Sequence, residues 1–378
     1  MKLMVQFYHS PLQHARLCGA KSGKALGFTG NALFSVETKL IMKAAAVWDA
    51  ICFLLNFSQR RSPCHVCCLS RHARQTANPL SAEWRLDFAF LQTRSERSFA
   101  MKLGISYFPK HSTPEEWGAF FEQLGCTAAV CPIKGDTDSD IISAYREAAA
   151  RHNITIAEVG VWNSPISDDP SARAEALAYA KRQLRLADQI GANCCVNVSG
   201  STGPNWCFGC KKDRTPEGYR RIVESIQEII DDVQPQNTYY TIECMPIVPP
   251  TSPDEYLQLL KDVDRERFSV HLDPFNMIFT PDRYFWNAEF LHECFEKLGP
   301  QIKSIHAKDV LLTPELTYCV REAFIGKGGV DYTAFLNEIA KLPPETPLII
   351  EHRDTLEEYQ EELAYIRALA EQLGIKIC

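Results

Sequence analysis

Eight times between Leu103 and Leu373 a short apolar run gives way to a longer stretch with helical periodicity, and this alternation admits few folds. The apolar runs are Leu103 to Tyr107, Ala128 to Pro132, Thr155 to Val161, Cys194 to Val198, Tyr239 to Glu243, Phe268 to Asp273, Ile302 to His306 and Pro347 to Glu351. Helices are expected near Pro114 to Leu124, Ser139 to His152, Ser171 to Ile190, Pro216 to Val233, Pro253 to Val263, Asn287 to Leu298, Tyr332 to Lys341 and Thr355 to Leu373. Several open on a capping hydroxyl followed by proline, as in Thr113-Pro114, Thr215-Pro216 and Ser252-Pro253, and others close on glycine, at Gly191 and Gly374. Strands joined by crossover helices form a parallel sheet, and eight such units in 278 residues fit a single (β/α)8 TIM barrel of the α/β class. A doubly wound open sheet that binds a nucleotide calls for a Gly-rich turn after its first strand, and Tyr107-Phe108-Pro109-Lys110 is not one.

The alternation starts only after residue 100. The first 100 residues carry 13 Lys and Arg against 5 Asp and Glu, and the remaining 278 carry 27 against 42, so the net charge of −7 joins a basic segment to an acidic one. The basic segment lacks sustained periodicity. Its apolar pieces, such as Ala44 to Phe57, are interrupted by polar residues and too short for a membrane span, and no clean apolar core marks a signal peptide. Residues 1–100 are therefore expected to be an N-terminal extension, disordered or upstream of the natural start, with the barrel beginning at Met101-Lys102-Leu103. An Arg- and Ser-containing leader can also be an organelle transit peptide, but its aromatic and cysteine content argues against that.

Of 15 cysteines, Cys194 and Cys195 are adjacent in an apolar strand and point to opposite faces, which makes them packing residues of a reducing compartment, and the expected location is the cytoplasm. Cys207-Phe-Gly-Cys210 is a lone CxxC, better read as loop cysteines than as a metal or redox site. The acidic barrel is a poor partner for nucleic acid and offers no membrane segment, while a homo-oligomer is compatible with the sequence.

Four successive runs end in metal-ligand chemistry. Glu243, Asp273, His306 and Glu351 follow one another at intervals of 30, 33 and 45 residues, each about one strand, crossover helix and loops. Pro274 cannot donate to a strand ladder, so Asp273 stands at a strand's carboxyl end, the active-site rim of such barrels. Any one of the four is explained as well by an ordinary hydrogen-bonded or solvated strand end; four of compatible type on consecutive strands point to a shared cation. Three carboxylates and one imidazole form an oxygen-rich set that suits one divalent ion, Mn²⁺ first, with Mg²⁺, Co²⁺ or Zn²⁺ accommodated.

The segments Ile242-Glu243, His271-Leu-Asp273-Pro-Phe-Asn276, His306-Ala-Lys308-Asp309 and Ile350-Glu351, with Gly326-Lys-Gly-Gly-Val-Asp331-Tyr between the last two, resemble the sugar phosphate isomerase/epimerase family of xylose-isomerase-like barrels. The resemblance covers Met101 to Cys378. It implies Glu243, Asp273, His306 and Glu351 as ligands of one divalent ion, and Glu243 and Glu351 as paired acid/base groups on opposite faces of a sugar. Ketose 3-epimerases of the group carry a histidine three residues after the metal-binding Asp and an arginine past the metal-binding His; this chain has Asn276 and Lys308-Asp309 instead. Endonucleases on the same barrel use three metals and more histidines than this chain supplies.

Moving a proton beside a carbonyl needs a base, an acid and a cation to hold the enediolate oxygen. The expected function is thus a divalent-metal-dependent isomerase or epimerase of a sugar or sugar-like polyol. The alternative is a metal-dependent lyase acting on an inosose-like substrate, which starts with the same proton abstraction; an endonuclease or a non-catalytic ligand-binding barrel fits less well. Glu158 on the third strand, Trp162 at its end, His271 two residues before Asp273, and Lys308 two residues after His306 are candidate substrate contacts. His271 could also orient a ligand from behind. The ordinary readings of the four are a paired carboxylate, a packing indole, a hydrogen-bonded core histidine and an exposed rim lysine. Trp206 and Phe275 are further candidates to wall a sugar ring. Gly326-Lys327-Gly328-Gly329 lies where many barrels bind phosphate but is equally a turn capping the next helix.

Overall fold

The computed structural model describes residues 100–378, so the expectations for the first 99 residues lie outside the described part. Eight parallel strands close on themselves: β1 (Ala100–Ile105), β2 (Ala128–Val130), β3 (Thr155–Gly160), β4 (Cys194–Val198), β5 (Tyr240–Glu243), β6 (Phe268–Leu272), β7 (Ile302–Ala307) and β10 (Pro347–Ile350) pair in that order, and β10 pairs with β1. β1 begins at Ala100, one residue before the expected boundary, because Ala100 pairs with Lys376 of the short parallel strand β11 (Lys376–Ile377). Between β7 and β10 lies an antiparallel hairpin, β8 (Asp309–Leu312) and β9 (Val320–Ala323), that the sequence reading did not contain.

The helices are α1 (Pro114–Gln123), α2 (Ser139–Arg151), α3 (Pro170–Ile190), α4 (Pro216–Val233), α5 (Pro253–Val263), α6 (Pro281–Phe285), α7 (Asn287–Leu298), α8 (Tyr332–Ile339) and α9 (Leu356–Leu373). Their ends follow capping physics. Thr113, Thr215 and Ser252 each accept a backbone N–H three residues on, ahead of proline at the first turn, and Thr355 forms a capping box with Glu358. Gly191 and Gly374 end α3 and α9 in the left-handed region, with φ of 79° and 70°. The core lies between strands and helices, where Trp117, Phe121, Leu184, Tyr256, Phe335 and Ile366 are fully buried, each such burial stabilising the fold by roughly 1.5–3 kcal/mol. Among the described residues no helix is long and apolar enough to cross a membrane.

This frame turns sequence spacing into position. Parallel strands all present their carboxyl ends on one rim, and a period of two puts Ser304, His306 and Lys308 on the same side of β7 and its continuation. Register then sets neighbours: Glu243 lies beside His271, His271 beside Ser304, and Ile349 beside His306.

Candidate metal centre and substrate cleft

Glu243 is the last residue of β5, Asp273 follows β6, His306 is the fifth residue of β7 and Glu351 follows β10. The structure brings all four together: one donor atom from each lies within 4.8 Å of the others, and all four side chains are buried. Local geometry aims the donors. Asp273 Oδ1 accepts the backbone N–H groups of Phe275 and Asn276 at 3.0 and 3.1 Å, which leaves Oδ2 directed into the cluster. Asn276 Nδ2 donates to Glu243 Oε1 at 2.9 Å and to the carbonyl of Cys244 at 3.1 Å, so the residue standing in place of a histidine holds a glutamate.

His306 has two different sides. Nδ1 lies 2.8 Å from Glu351 Oε2 and 3.5 Å from Glu243 Oε2, whereas Nε2 lies 3.1 Å from Glu158 Oε1. Lys308 Nζ is 2.6 Å from both Asp273 Oδ2 and Glu351 Oε1. Even so, Asp273 Oδ2 and His306 Nδ1 make no hydrogen bond of acceptable geometry, although both are buried. Two buried, poorly satisfied donor atoms aimed at one point, in a set of three carboxylates and an imidazole, fit a divalent cation.

The electrostatics agree with that fit. Burial opposes charge on His306, yet Glu351, Glu158 and Glu243 hold its imidazole well above the ordinary value. Burial also opposes charge on Glu351, and is outweighed by His306 and Lys308, which hold it well below the usual carboxylate range. Asp273 goes the other way: burial raises its carboxyl, and Glu351 and Glu243 add to that against the pull of Lys308. So much carboxylate in one dry place draws positive charge from every neighbour that can supply it.

The cluster opens on a cleft of about 450 Å³ whose walls include Glu158, Trp162, His306, Glu351, Phe108 and His352. Another cavity, of about 290 Å³ at the opposite end of the barrel beside Ala100 and Lys376, is lined by no carboxylate or imidazole.

The sequence of residues 116–369 matches the family described as xylose isomerase-like TIM barrel. The chain belongs to that family. No curated protein sequence matches it. Among solved structures, a xylose isomerase-like TIM barrel protein from Mycobacterium smegmatis in complex with magnesium is 16% identical with a TM-score of 0.52, covering 73% of this chain and 98% of its own. The 3-keto-D-glucoside 4-epimerase of E. coli is 16% identical with a TM-score of 0.51, covering 71% and 99%. A probable 3-DHS dehydratase involved in petrobactin synthesis from Bacillus anthracis is 14% identical with a TM-score of 0.53, covering 71% and 98%. At such identities the likeness is one of fold.

Within this xylose isomerase-like barrel the remaining candidate site residues differ in how they face the cleft. His271 is fully buried beneath the cluster, its ring centroid 4.1 Å from that of His306, and it does not line the cleft. Burial lowers its pKa to about 4, so the ring is neutral at pH 7; Nδ1 is 3.4 Å from Glu158 Oε2 and Nε2 is 3.9 Å from Glu243 Oε2. His271 thus stands below the cluster, where it can orient a ligand. Lys308 is buried among carboxylates and is not an exposed rim lysine. Glu158 reaches both places: it lines the cleft, yet its carboxylate accepts from Ser304 Oγ at 3.3 Å and faces His306. Burial would raise the Glu158 carboxyl, but the imidazoles of His306 and His271 hold it below the ordinary range. Phe275 packs against Tyr332 and Phe335 in the core and walls nothing, whereas Trp162 and Trp206 are both partly exposed at the rim.

The glycine loop of this family member holds an anion of its own. Asp309 accepts the N–H groups of Val310, Gly326, Gly328 and Val330 at 2.8 to 3.2 Å, so the amides that phosphate would need serve an internal carboxylate. A Cβ on Gly328 would stand 2.1 Å from Asp309 Oδ1, which is why that position is glycine.

Sequence reasoning missed His352, which follows Glu351 with φ of 59° and lines the cleft while Nδ1 contacts Glu322 at 2.9 Å. Its adjacency to a candidate ligand was the available signal. It also missed Asn276 as a partner of Glu243, since the reading used that position only for its departure from histidine.

Proposed function

We propose that Glu243, Asp273, His306 and Glu351 bind one divalent cation, Mn²⁺ or Mg²⁺ by donor chemistry, and that the barrel isomerises or epimerises a sugar or sugar-like polyol by moving a proton beside its carbonyl. The observation that carries this reading is the convergence of four buried donors within 4.8 Å at the carboxyl end of the barrel. Bound there, the ion would polarise the substrate carbonyl and balance the negative charge that develops on its oxygen. The protein's own groups do the rest. Glu351, on the cleft wall, takes the proton from the carbon facing it, while Lys308 and His306 keep its carboxylate oriented. Glu243, held by Asn276, supplies the second acid/base group. Lys308 offers its ammonium to a substrate oxygen, Glu158 accepts from a hydroxyl or from His306, and Trp162 covers the apolar face of the ring. Buried thiols such as Cys194 and Cys195 suit a cytoplasmic enzyme.

One observation favours a second reading. Glu351 lines the cleft and Glu243 does not, and a single accessible base is all that a lyase expelling a β-hydroxyl requires. Incubation of the protein with Mn²⁺, ketoses, aldoses and inososes in D₂O tests both. Deuterium entering a carbon of a recovered or isomerised sugar supports the isomerase or epimerase, and loss of water from the substrate supports the lyase. Neither exchange nor turnover with any member of the panel would overturn the proposal.

A further inference from the structure

A second cleft, of about 390 Å³, adjoins the first, and Val161, Trp162 and Tyr179 line both. The wall between them is built with care. Trp162 follows the end of β3 with φ of 54°, the left-handed region that bulky side chains rarely adopt. Its indole lies back over the strand so closely that a Cβ on Gly160 would stand 2.2 Å from Nε1, and its ring stacks toward His306 at 6.4 Å and 30°. Strained backbone and a bare glycine together fix an indole beside the imidazole, with 39% of Trp162 still exposed.

Beyond Trp162, the second cleft carries Trp206, 40% exposed, from the loop before α4, and Glu175 and Arg182 from α3. The Arg182 guanidinium lies 5.6 Å above the Tyr179 ring. Asn163 Nδ2 donates to the carbonyl of Ala176, Ser164 Oγ donates to that of Ser201, and Ser167 Oγ accepts the Asp169 N–H. Two indoles thus frame a space served by one carboxylate, one guanidinium and the Tyr179 hydroxyl. A pyranose matches that combination, since its C–H faces stack on aromatic rings and its rim of hydroxyls both donates and accepts. A carboxylate on the same wall disfavours an anion, and the presence of both charges disfavours a purely apolar group.

The geometry points to a second sugar-ring subsite, bounded by Trp162, Trp206, Glu175 and Arg182, so that the substrate is a glycoside or disaccharide whose reacting ring lies at the quartet. This inference rests on the proposed function for the reacting ring, and its test reads binding without turnover, so the two can fail separately. Saturation-transfer NMR and tryptophan fluorescence with the Mn²⁺-supplemented full chain would compare D-fructose and methyl α-D-glucopyranoside with sucrose, maltose, cellobiose and trehalose. The expected result is that at least one two-ring probe binds about tenfold more tightly than either one-ring probe. Trp206→Ala and, on the exposed side of α3, Glu175→Ala should each remove most of that advantage, and Trp206→Phe should keep most of it. Two-ring probes binding no better than one-ring probes, or an advantage that survives both Trp206→Ala and Glu175→Ala, would overturn the subsite.

Discussion

Asp273 and His306 show how one atom decides what a residue can do. Asp273 has one oxygen committed to two backbone amides and the other free to face the cluster, and His306 has one nitrogen toward Glu158 and one toward Glu351. With an ion bound as proposed, a carboxylate on the far nitrogen of a ligating imidazole would fix its orientation and raise its basicity, a positioning role for Glu158 through His306. Asp273→Asn and His306→Ala each remove a donor from the set, so a protein that binds one divalent ion per chain should lose it in both variants. Metal content measured after gel filtration checks this, and full occupancy in both would put the ion elsewhere. Lys308 carries the other lesson at this scale. Its position two residues after His306 was legible, but its burial was not, because a lysine is placed by the carboxylates converging on it from Asp273 and Glu351, and that convergence exists only after the barrel closes.

At the scale of elements, the eight barrel strands could be read because each apolar run is short, is followed by a helix signal and stops at a polar residue or proline. The hairpin of β8 and β9 could not. Asp309-Val-Leu-Leu and Val320-Arg-Glu-Ala are short, partly exposed and separated by an irregular turn, and they pair with each other rather than with the barrel, so no long apolar run announces them. Asp309 ties the start of this hairpin to the glycine loop through four backbone N–H groups. Replacing it with alanine strands several of those donors, and Asp309→Ala should cost roughly 2–4 kcal/mol in urea unfolding. A loss below about 0.5 kcal/mol would mean that water satisfies the loop as well as the carboxylate does.

For the whole molecule, barrel closure explains why the site exists at all: Glu243 and Glu351 are 108 residues apart in sequence and meet because β10 pairs with β7 and β1. The acidic segment's eight βα units made that closure legible, and the parts left unread are the short helix α6 and three short strands, β11 and the two of the hairpin, whose pairing is set by tertiary contacts. Because β1 starts at Ala100 and β11 pairs with its first two residues, a chain beginning at Ala100 should fold and bind metal as the full chain does. One beginning at Leu103 lacks both of those pairs and should unfold at a lower temperature. Insolubility of the Ala100 chain alongside a soluble full chain would mean that the first 99 residues contribute to folding.

The central claim is that two glutamates around one ion move a proton at a substrate carbon. It is tested most directly by following solvent deuterium into a turned-over sugar with wild type, Glu351→Gln and Glu243→Gln, each loaded with Mn²⁺. Glutamine keeps an oxygen donor but cannot take up a proton, so Glu351→Gln should slow exchange by a factor on the order of 10² to 10⁴, with metal content falling far less. Glu243→Gln should still exchange the proton on the face of Glu351 while net conversion stops. Modest and equal losses in both variants, restored by excess Mn²⁺, would contradict the account and leave the glutamates as ligands only.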